Sequence, residues 1–341
     1  MKSILRTLIL VIALAACCCR AYAQQGHVAD NQQVRVAFWN VENFFDTERD
    51  TLHEDGEFCP QGEKHWTRKR FEEKRAHIYK TLAAMEFPTV VGMAEVENDY
   101  VLRELCLNTP LRRMRYKYVH YESPDRRGID NALLYRSDRF EVTGSAAVSM
   151  SDSSADFYTR DLLLVQGKTT DGDTLILLVL HLPSKRGGVE ADKHRARIVH
   201  RISYIMDSMR TQHPCAGIVA MGDFNADPND ATIRKEISAG EGFINLMTHN
   251  PEGLGSYKYQ GYWSFIDQII ISSNLYNAKQ LPRLCVDGCA KAFSRPFLLC
   301  EDKGHMGVVP FRTYWGPRYR GGFSDHLPVY IDLTPCATSI R

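Results

Sequence analysis

Eight short apolar runs limit what this chain can become: Val34–Trp39, Thr89–Met93, Asn131–Tyr135, Leu162–Val165, Thr174–His181, Ala216–Met221, Ile266–Ser272 and Pro328–Leu333. Most are β-branched and bounded by Gly, Asp or Pro, the pattern of strands buried in a core. Two stretches between them have helical spacing instead. Trp66–Met85 carries Phe71, Ile78, Tyr79 and Leu82, and Glu190–Met209 carries Ile198, Ile202, Ile205 and Met206, each with a charged opposite face. Strands interleaved with a few amphipathic helices predict an α/β chain whose sheets are covered by helices. No repeat, low-complexity tract or linker interrupts Gln33 to the C-terminus, which predicts a single domain.

The runs also matter for where they stop. VVGMAEVEN delivers Glu95 to the C-terminal end of a strand, where a carboxylate can hold a hard cation; taken alone, it reads first as a solvated loop acid. LILLVLHLPSKRGG ends at His181 and continues with Lys185 and Arg186, a donor and two cations suited to a phosphate-like anion, or else a packed histidine beside a basic loop. In IVAMGDFNADPND, Asp223 and Asn225 alternate across Phe224, so a persisting strand turns both to one face; an Asx-rich turn is the competing reading. WSFIDQIIIS sets Asp267 in an apolar run, where a buried carboxylate needs a partner, a histidine being the obvious one; on a wet face it needs none. GGFSDHLPVYIDL offers that histidine, His326, beside Asp325 at the start of a strand. Its ring can take a proton from water while Asp267 steadies the imidazolium and Asp325 holds a metal or its water. The first run ends at Asn40, whose amide can meet a metal or phosphate oxygen, with Asn43 as its rival.

The opening residues, MKSILRTLILVIALAACCCRAYAQQ, have a basic start, an apolar run from Ile4 to Ala16 and a small-x-small site at Ala21-Tyr22-Ala23. That is the pattern of a secretory signal over 1–23, too short in its apolar part to span a bilayer comfortably, with 24–341 as the mature domain. Leu14-Ala15-Ala16-Cys17 supports a second reading, a lipobox that anchors the protein through Cys17. Either predicts an exported protein, periplasmic or secreted, with no transmembrane segment after signal removal. Losing Lys2, Arg6 and Arg20 takes the net charge from +1 to −2, so a polyanion must be met by local positive patches. Two stretches qualify, Lys64–Arg75 (KHWTRKRFEEKR) and Phe311–Arg320 (FRTYWGPRYR). The second alternates arginines with aromatics, as stacked bases and phosphates require and as a packed surface loop also would. Among the cysteines beyond the leader, Cys285, Cys289 and Cys300 are near enough in sequence to predict one local bridge, while Cys285-x3-Cys289 lacks a second ligand pair for zinc.

Taken in order, FWNVEN, GMAEVEN, RGIDNALLYR, LHLPS, GDFNADP, FIDQIIIS and SDHLPV, spread over Val34–Leu333, resemble the endonuclease/exonuclease/phosphatase superfamily of deoxyribonuclease-like phosphodiesterases. The resemblance implies a four-layer α/β sandwich, two mixed β-sheets packed face to face with helices on the outer faces. It also implies roles. Asn40, Glu95 and Asp325 would serve a divalent metal, Mg2+ or else Mn2+ or Ca2+. His326, paired with Asp267, would activate water; Asp223 and Asn225 would lie beside that water and the phosphoryl oxygens; His181 would contact the scissile phosphate, with Asp130 orienting it. Water would then attack phosphorus in line, Asp223 and His181 both qualifying to protonate the leaving group. The superfamily spans nucleases and inositol-phosphate and sphingomyelin hydrolases, so the fold does not choose the substrate. A monomeric nuclease is the leading expectation, and hydrolysis of a phospholipid headgroup or small phosphoester the alternative. A non-catalytic binding module is the rival from another class, opposed by the presence of every candidate polar residue.

Overall fold

The computed structural model describes residues 33–185, 188–237, 242–248, 254–276 and 281–336, whose elements belong to one unit, Val34–Thr338. The signal reading and Cys17 lie outside the described residues. Strands β1 (Val34–Phe44), β2 (Val90–Val96), β3 (Tyr116–His120) and β4 (Asp130–Arg136) come first, with helix α1 (Arg68–Ala84) before β2 and α2 (Asp99–Leu107) after it. Next are β5 (Phe140–Val148), β6 (Leu162–Thr169), β7 (Thr174–His181), β8 (Gly217–Asp223) and β9 (Phe243–Asn245), with α3 (Gly188–Gln212) and α4 (Ala231–Glu236) on either side of β8. A hairpin, β10 (Tyr257–Tyr259) and β11 (Tyr262–Ser264), leads into β12 (Asp267–Ser272). The chain then forms β13 (Leu284–Val286), β14 (Lys291–Ala292), the hairpins β15 (Leu299–Glu301) with β16 (Val308–Pro310) and β17 (Tyr314–Trp315) with β18 (Arg318–Tyr319), and β19 (Val329–Pro335).

Two large sheets result. One runs β13-β19-β1-β2-β4-β3 with β14 also on β19; the other runs β5-β6-β7-β8-β12-β9. Each contains one parallel pair, β1 with β2 and β7 with β8, among antiparallel ones. A parallel pair needs a crossover, and α1 and α3 supply them.

The two-residue period of a strand explains the layers. In β7, Leu175, Leu177 and Val179 face the opposite sheet and share a core with Val219, Met221 and Ile269 and with Val36 and Phe38 of β1. The intervening Ile176, Leu178 and Leu180 turn out onto Ile198, Ile202 and Met206 of α3. On the other side Ala37, Trp39, Val91 and Met93 meet Phe71, Ile78 and Leu82 of α1 and Leu102 and Leu105 of α2. The order is helix, sheet, sheet, helix. A Cβ on Gly92 would stand 3.1 Å from Val179 and 3.2 Å from Met221 of the facing sheet, so the two sheets pack closely at this position.

The predicted local bridge among Cys285, Cys289 and Cys300 does not form. Cys285 is bonded to Cys336, because β13 lies antiparallel on β19 and places Cys285 opposite Thr334. Cys289 and Cys300 are free thiols. Among the described residues no helix is long and apolar enough to cross a membrane.

Candidate active site

Strand register gathers the polar ends. His181 of β7 is paired with Asp223 of β8, and Asp223 with Asp267 of β12. Their parity is that of the inward Val179, Met221 and Ile269, so the three stand in a row at one rim, facing the first sheet. In that sheet Asn40 is paired with Ala94, beside Glu95, and Asp325 and His326 enter just ahead of β19, the other neighbour of β1.

The backbone is unusual here. Pairing of β1 with β2 slips after Asn40, and that of β2 with β4 slips at Glu95. Glu42, Asn43, Glu95 and Asn225 have φ of 54°, 55°, 63° and 47°. Left-handed non-glycine residues are costly, and four of them border one cleft. They also correct one expectation: β8 ends at Asp223 and does not carry the alternation on to Asn225. The Asn225 N–H instead closes a turn onto Asp223 Oδ1 at 2.8 Å. Both residues still line the cleft, with Phe224 buried beneath.

The cleft has a volume of about 520 Å³, and Glu95, His181, Asp223, Asn225, Asp325 and His326 all line it. Asp223 is its hub. Asp223 Oδ2 accepts from Asn40 Nδ2 at 3.1 Å and lies 3.6 Å from His181 Nε2 and 3.8 Å from His326 Nε2. On its far side His326 is held by Asp267, Nδ1 to Oδ2 at 2.7 Å, both groups being buried. The other Asp267 oxygen has no partner among the described residues. The His326 ring rests against Tyr257, 4.8 Å between centroids, and its carbonyl accepts from Trp39 Nε1 at 3.0 Å. Ser324 Oγ donates to the Asn40 carbonyl at 2.7 Å and accepts the His326 N–H at 3.0 Å, which ties the loop to β1.

Burial pushes the Asp223 carboxyl up to about 7, with His326 drawing it back and Asp267 raising it further. Burial pulls His326 down, but Asp267, Asp325 and Asp223 outweigh it and hold the ring well above the ordinary histidine range. His181 moves the opposite way, kept neutral by burial and by Arg160, Arg127 and His326. Charge and burial thus push the two histidines of one cleft in opposite directions, the separation that acid and base work requires.

Asp223, Asp267 and His326 offer ligand atoms within 4.8 Å of one another, an oxygen and nitrogen set able to hold a divalent cation. The trio expected to serve the metal is arranged differently. Glu95 takes the Asn43 N–H at 2.9 Å and Asn40 Nδ2 at 3.4 Å, while the Asn40 side-chain Oδ1 accepts from the Glu42 N–H at 3.0 Å. Asn40 therefore shows its NH2 to the acids and braces them. Asp325 accepts from Arg312 Nη2 at 2.7 Å. Glu95 and Asp325 remain partly exposed in the cleft, where hard oxygen donors suit a divalent ion.

Several site residues escaped the sequence reading. Arg160 is buried with its guanidinium on Asp125 at 2.9 Å and on the Leu182 carbonyl at 2.8 Å, which Asn225 Nδ2 shares at 2.8 Å. Arg127 stands 3.6 Å from the same Asp125 carboxylate and, like Arg160, lines the cleft. Asp125 lies two positions before Arg127, which opens the RGIDNALLYR motif, and could have signalled the pair; nothing in the sequence marks Arg160. Buried Glu42 accepts the N–H groups of Thr313 at 2.6 Å and Tyr314 at 3.3 Å and lies 3.8 Å from Arg312 Nε. Asp130 does not orient His181. It belongs to β4, in the other sheet, where it holds His120 Nε2 at 3.0 Å and accepts the Ser123 N–H at 2.9 Å, and His181 Nδ1 has no partner among the described residues.

Residues 35–335 match a family described as Endonuclease/Exonuclease/phosphatase family. None of the curated proteins matches the sequence. Among solved structures, an endonuclease/exonuclease/phosphatase family protein from Bacteroides thetaiotaomicron is 15% identical with a TM-score of 0.56, over 90% of this chain and 99% of that one. D. rerio TDP2 complexed with single strand DNA product is 18% identical with a TM-score of 0.56, over 89% and 99%. A mannosyl-6-phosphatase of B. thetaiotaomicron is 16% identical with a TM-score of 0.54, over 88% and 99%. At such identities the likeness is one of fold.

Proposed function

The chain belongs to the Endonuclease/Exonuclease/phosphatase family, and from that membership we propose an exported, monomeric, divalent-metal-dependent phosphodiesterase acting on nucleic acid. The observation that carries this reading is the buried His326–Asp267 bond of 2.7 Å, aimed at Asp223 across a cleft lined by Arg127, Arg160 and His181. His326 Nε2 and Asp223 Oδ2 are 3.8 Å apart, a gap that a water oxygen can bridge. In its neutral form Nε2 accepts the water's proton, and Asp267 stabilises the imidazolium that results. Arg160, Arg127 and the neutral His181 donate to the equatorial phosphoryl oxygens as charge builds there. Asp223 holds the same water from its other side, and solvent in the open cleft supplies the proton that the leaving oxygen takes. A divalent ion, Mg2+ in this reading and Mn2+ or Ca2+ otherwise, supplies charge neutralisation at the phosphate; Glu95 and Asp325 would hold it, with Asn40 bracing Glu95. Export is supported by the Cys285–Cys336 bridge, which belongs to an oxidising compartment.

A small phosphoester or lipid headgroup is the second reading, favoured by the mannosyl-6-phosphatase among the fold neighbours. A substrate panel on the purified mature protein decides between them: plasmid DNA, RNA, sphingomyelin, inositol phosphates, a sugar phosphate and a chromogenic diester, each with Mg2+, Ca2+ or chelator. Nucleic acid turnover that chelator abolishes and that His326→Ala lowers by about 100-fold or more is the expected result. Turnover confined to small phosphoesters overturns the substrate, and turnover indifferent to chelator overturns the metal.

A further inference from the structure

The Phe311–Arg320 stretch forms a second cavity, about 290 Å³, whose walls include Phe311, Arg312, Trp315, Arg318 and Arg320. Arg312 belongs to both cavities. Its guanidinium lies 5.6 Å from the Trp315 ring centroid and donates to Asp325 at 2.7 Å, so one side chain spans the distance between indole and catalytic cleft.

Trp315 is 56% exposed, and its hairpin is pinned from below. Tyr314 is buried among Phe58, Trp66 and Tyr319 at 6.3, 6.1 and 5.3 Å between centroids. Lys74 Nζ donates to Thr313 Oγ1 at 2.7 Å, and Tyr319 Oη donates to Glu73 at 2.9 Å. The tip is a two-residue turn with Gly316 at φ 60°, the glycine-first geometry of tight hairpins. Holding a large aromatic face in water on a rigid support loses hydrophobic stabilisation and serves no packing purpose. Arg70 stacks at 4.2 Å on Tyr319, so this cation of the first basic stretch supports the second from beneath. Arg318 and Arg320 stay exposed. Of the two acids in the cavity wall, Asp302 is paired with Lys258 at 2.7 Å and Glu301 is outnumbered by Lys303, Arg318 and Arg320, so the balance of charge suits an anion.

Building on the reading of the cleft as a phosphodiesterase site, we infer that Trp315 is a base-stacking platform: the base of a nucleotide adjoining the scissile phosphate lies on the indole, and Arg318 and Arg320 meet the next backbone phosphate. Stacking tolerates every base, so the contact selects nucleic acid over sugar phosphates without selecting sequence.

Two phosphorothioate oligomers of equal length test this, one with bases and one abasic, each binding measured by polarisation of an end label and by tryptophan quenching. In the wild type the base-bearing oligomer binds about tenfold tighter. Trp315→Leu removes that advantage and Trp315→Tyr keeps most of it. Equal binding of the two oligomers by the wild type, as a sugar platform would give, overturns the inference, and so does an advantage that survives Trp315→Leu. Failure of the nuclease reading shows separately, as absence of nucleic acid turnover in the substrate panel.

Discussion

Asp267 is fully buried, with one oxygen on His326 and the other unpartnered among the described residues. A carboxylate in that position is costly unless its charge is used. Asp267→Asn preserves the shape and removes the charge that stabilises the imidazolium, so kcat on a chromogenic diester should fall by about 10³-fold with the thermal midpoint nearly unchanged. A variant within a factor of two of wild type would remove Asp267 from the mechanism. The pair was legible because an acid inside an apolar run asks for a partner and a histidine at a strand start can answer. Arg160 was not, since its counterion Asp125 is 35 positions away and only folding makes them neighbours. Asn40 was legible as the polar end of its strand, but its bracing geometry was hidden, because the Glu42 N–H that its Oδ1 accepts depends on a left-handed backbone that no residue type announces.

At the scale of elements, helix α1 does more than cover the first sheet. Its Lys74 is buried, donating to Thr313 Oγ1 at 2.7 Å and the Phe323 carbonyl at 2.6 Å, and so joins the helix to the loops on both sides of hairpin β17–β18. Burial lowers the ammonium to about 8 against the opposing pull of Glu42 and Asp325. The folded protein therefore binds fewer protons at this site than the unfolded chain between about 8 and the ordinary lysine range, and stability attributable to Lys74 rises with pH across that window and is lost as pH falls through it. Lys74→Met should lose about 3 kcal/mol near neutrality, because acceptors and Glu42 are left short of a partner, and should flatten the alkaline rise. Urea midpoints of both proteins from pH 7 to 10 test this; parallel curves would reject it. Elements buried on both faces, such as β7 and β8, were readable as apolar runs. Strand β5 was not: it is an edge strand, mostly exposed, and its FEVTGSAAV has no apolar run to detect. Helix α2 was missed for its nine residues, and what marks its start, Asn98 accepting the Val101 N–H at 3.1 Å, is a cap that resembles any polar loop.

For the molecule as a whole, the two sheets bring the site together at one rim while the Cys285–Cys336 bridge fastens the opposite end of β19 to β13. His326 lies just ahead of Val329, where that strand starts, and Cys336 lies just past Pro335, where it ends. Stability and catalysis should therefore separate along a single strand. The bridge spans 51 positions in sequence, and closing a loop of that length removes enough freedom from the unfolded chain to contribute about 4 kcal/mol. Since a domain is typically stable by only ~5–15 kcal/mol, a bridge of that size would be a large share of what keeps this one folded. Cys285→Ser with Cys336→Ser, or the wild type reduced, should unfold at a clearly lower denaturant midpoint, while kcat below the transition stays within about twofold of the oxidised wild type, because no group of the cleft has lost a contact. An unchanged midpoint would show that sheet pairing alone holds β13, and a large fall in kcat would show that the far end of β19 governs the placement of His326.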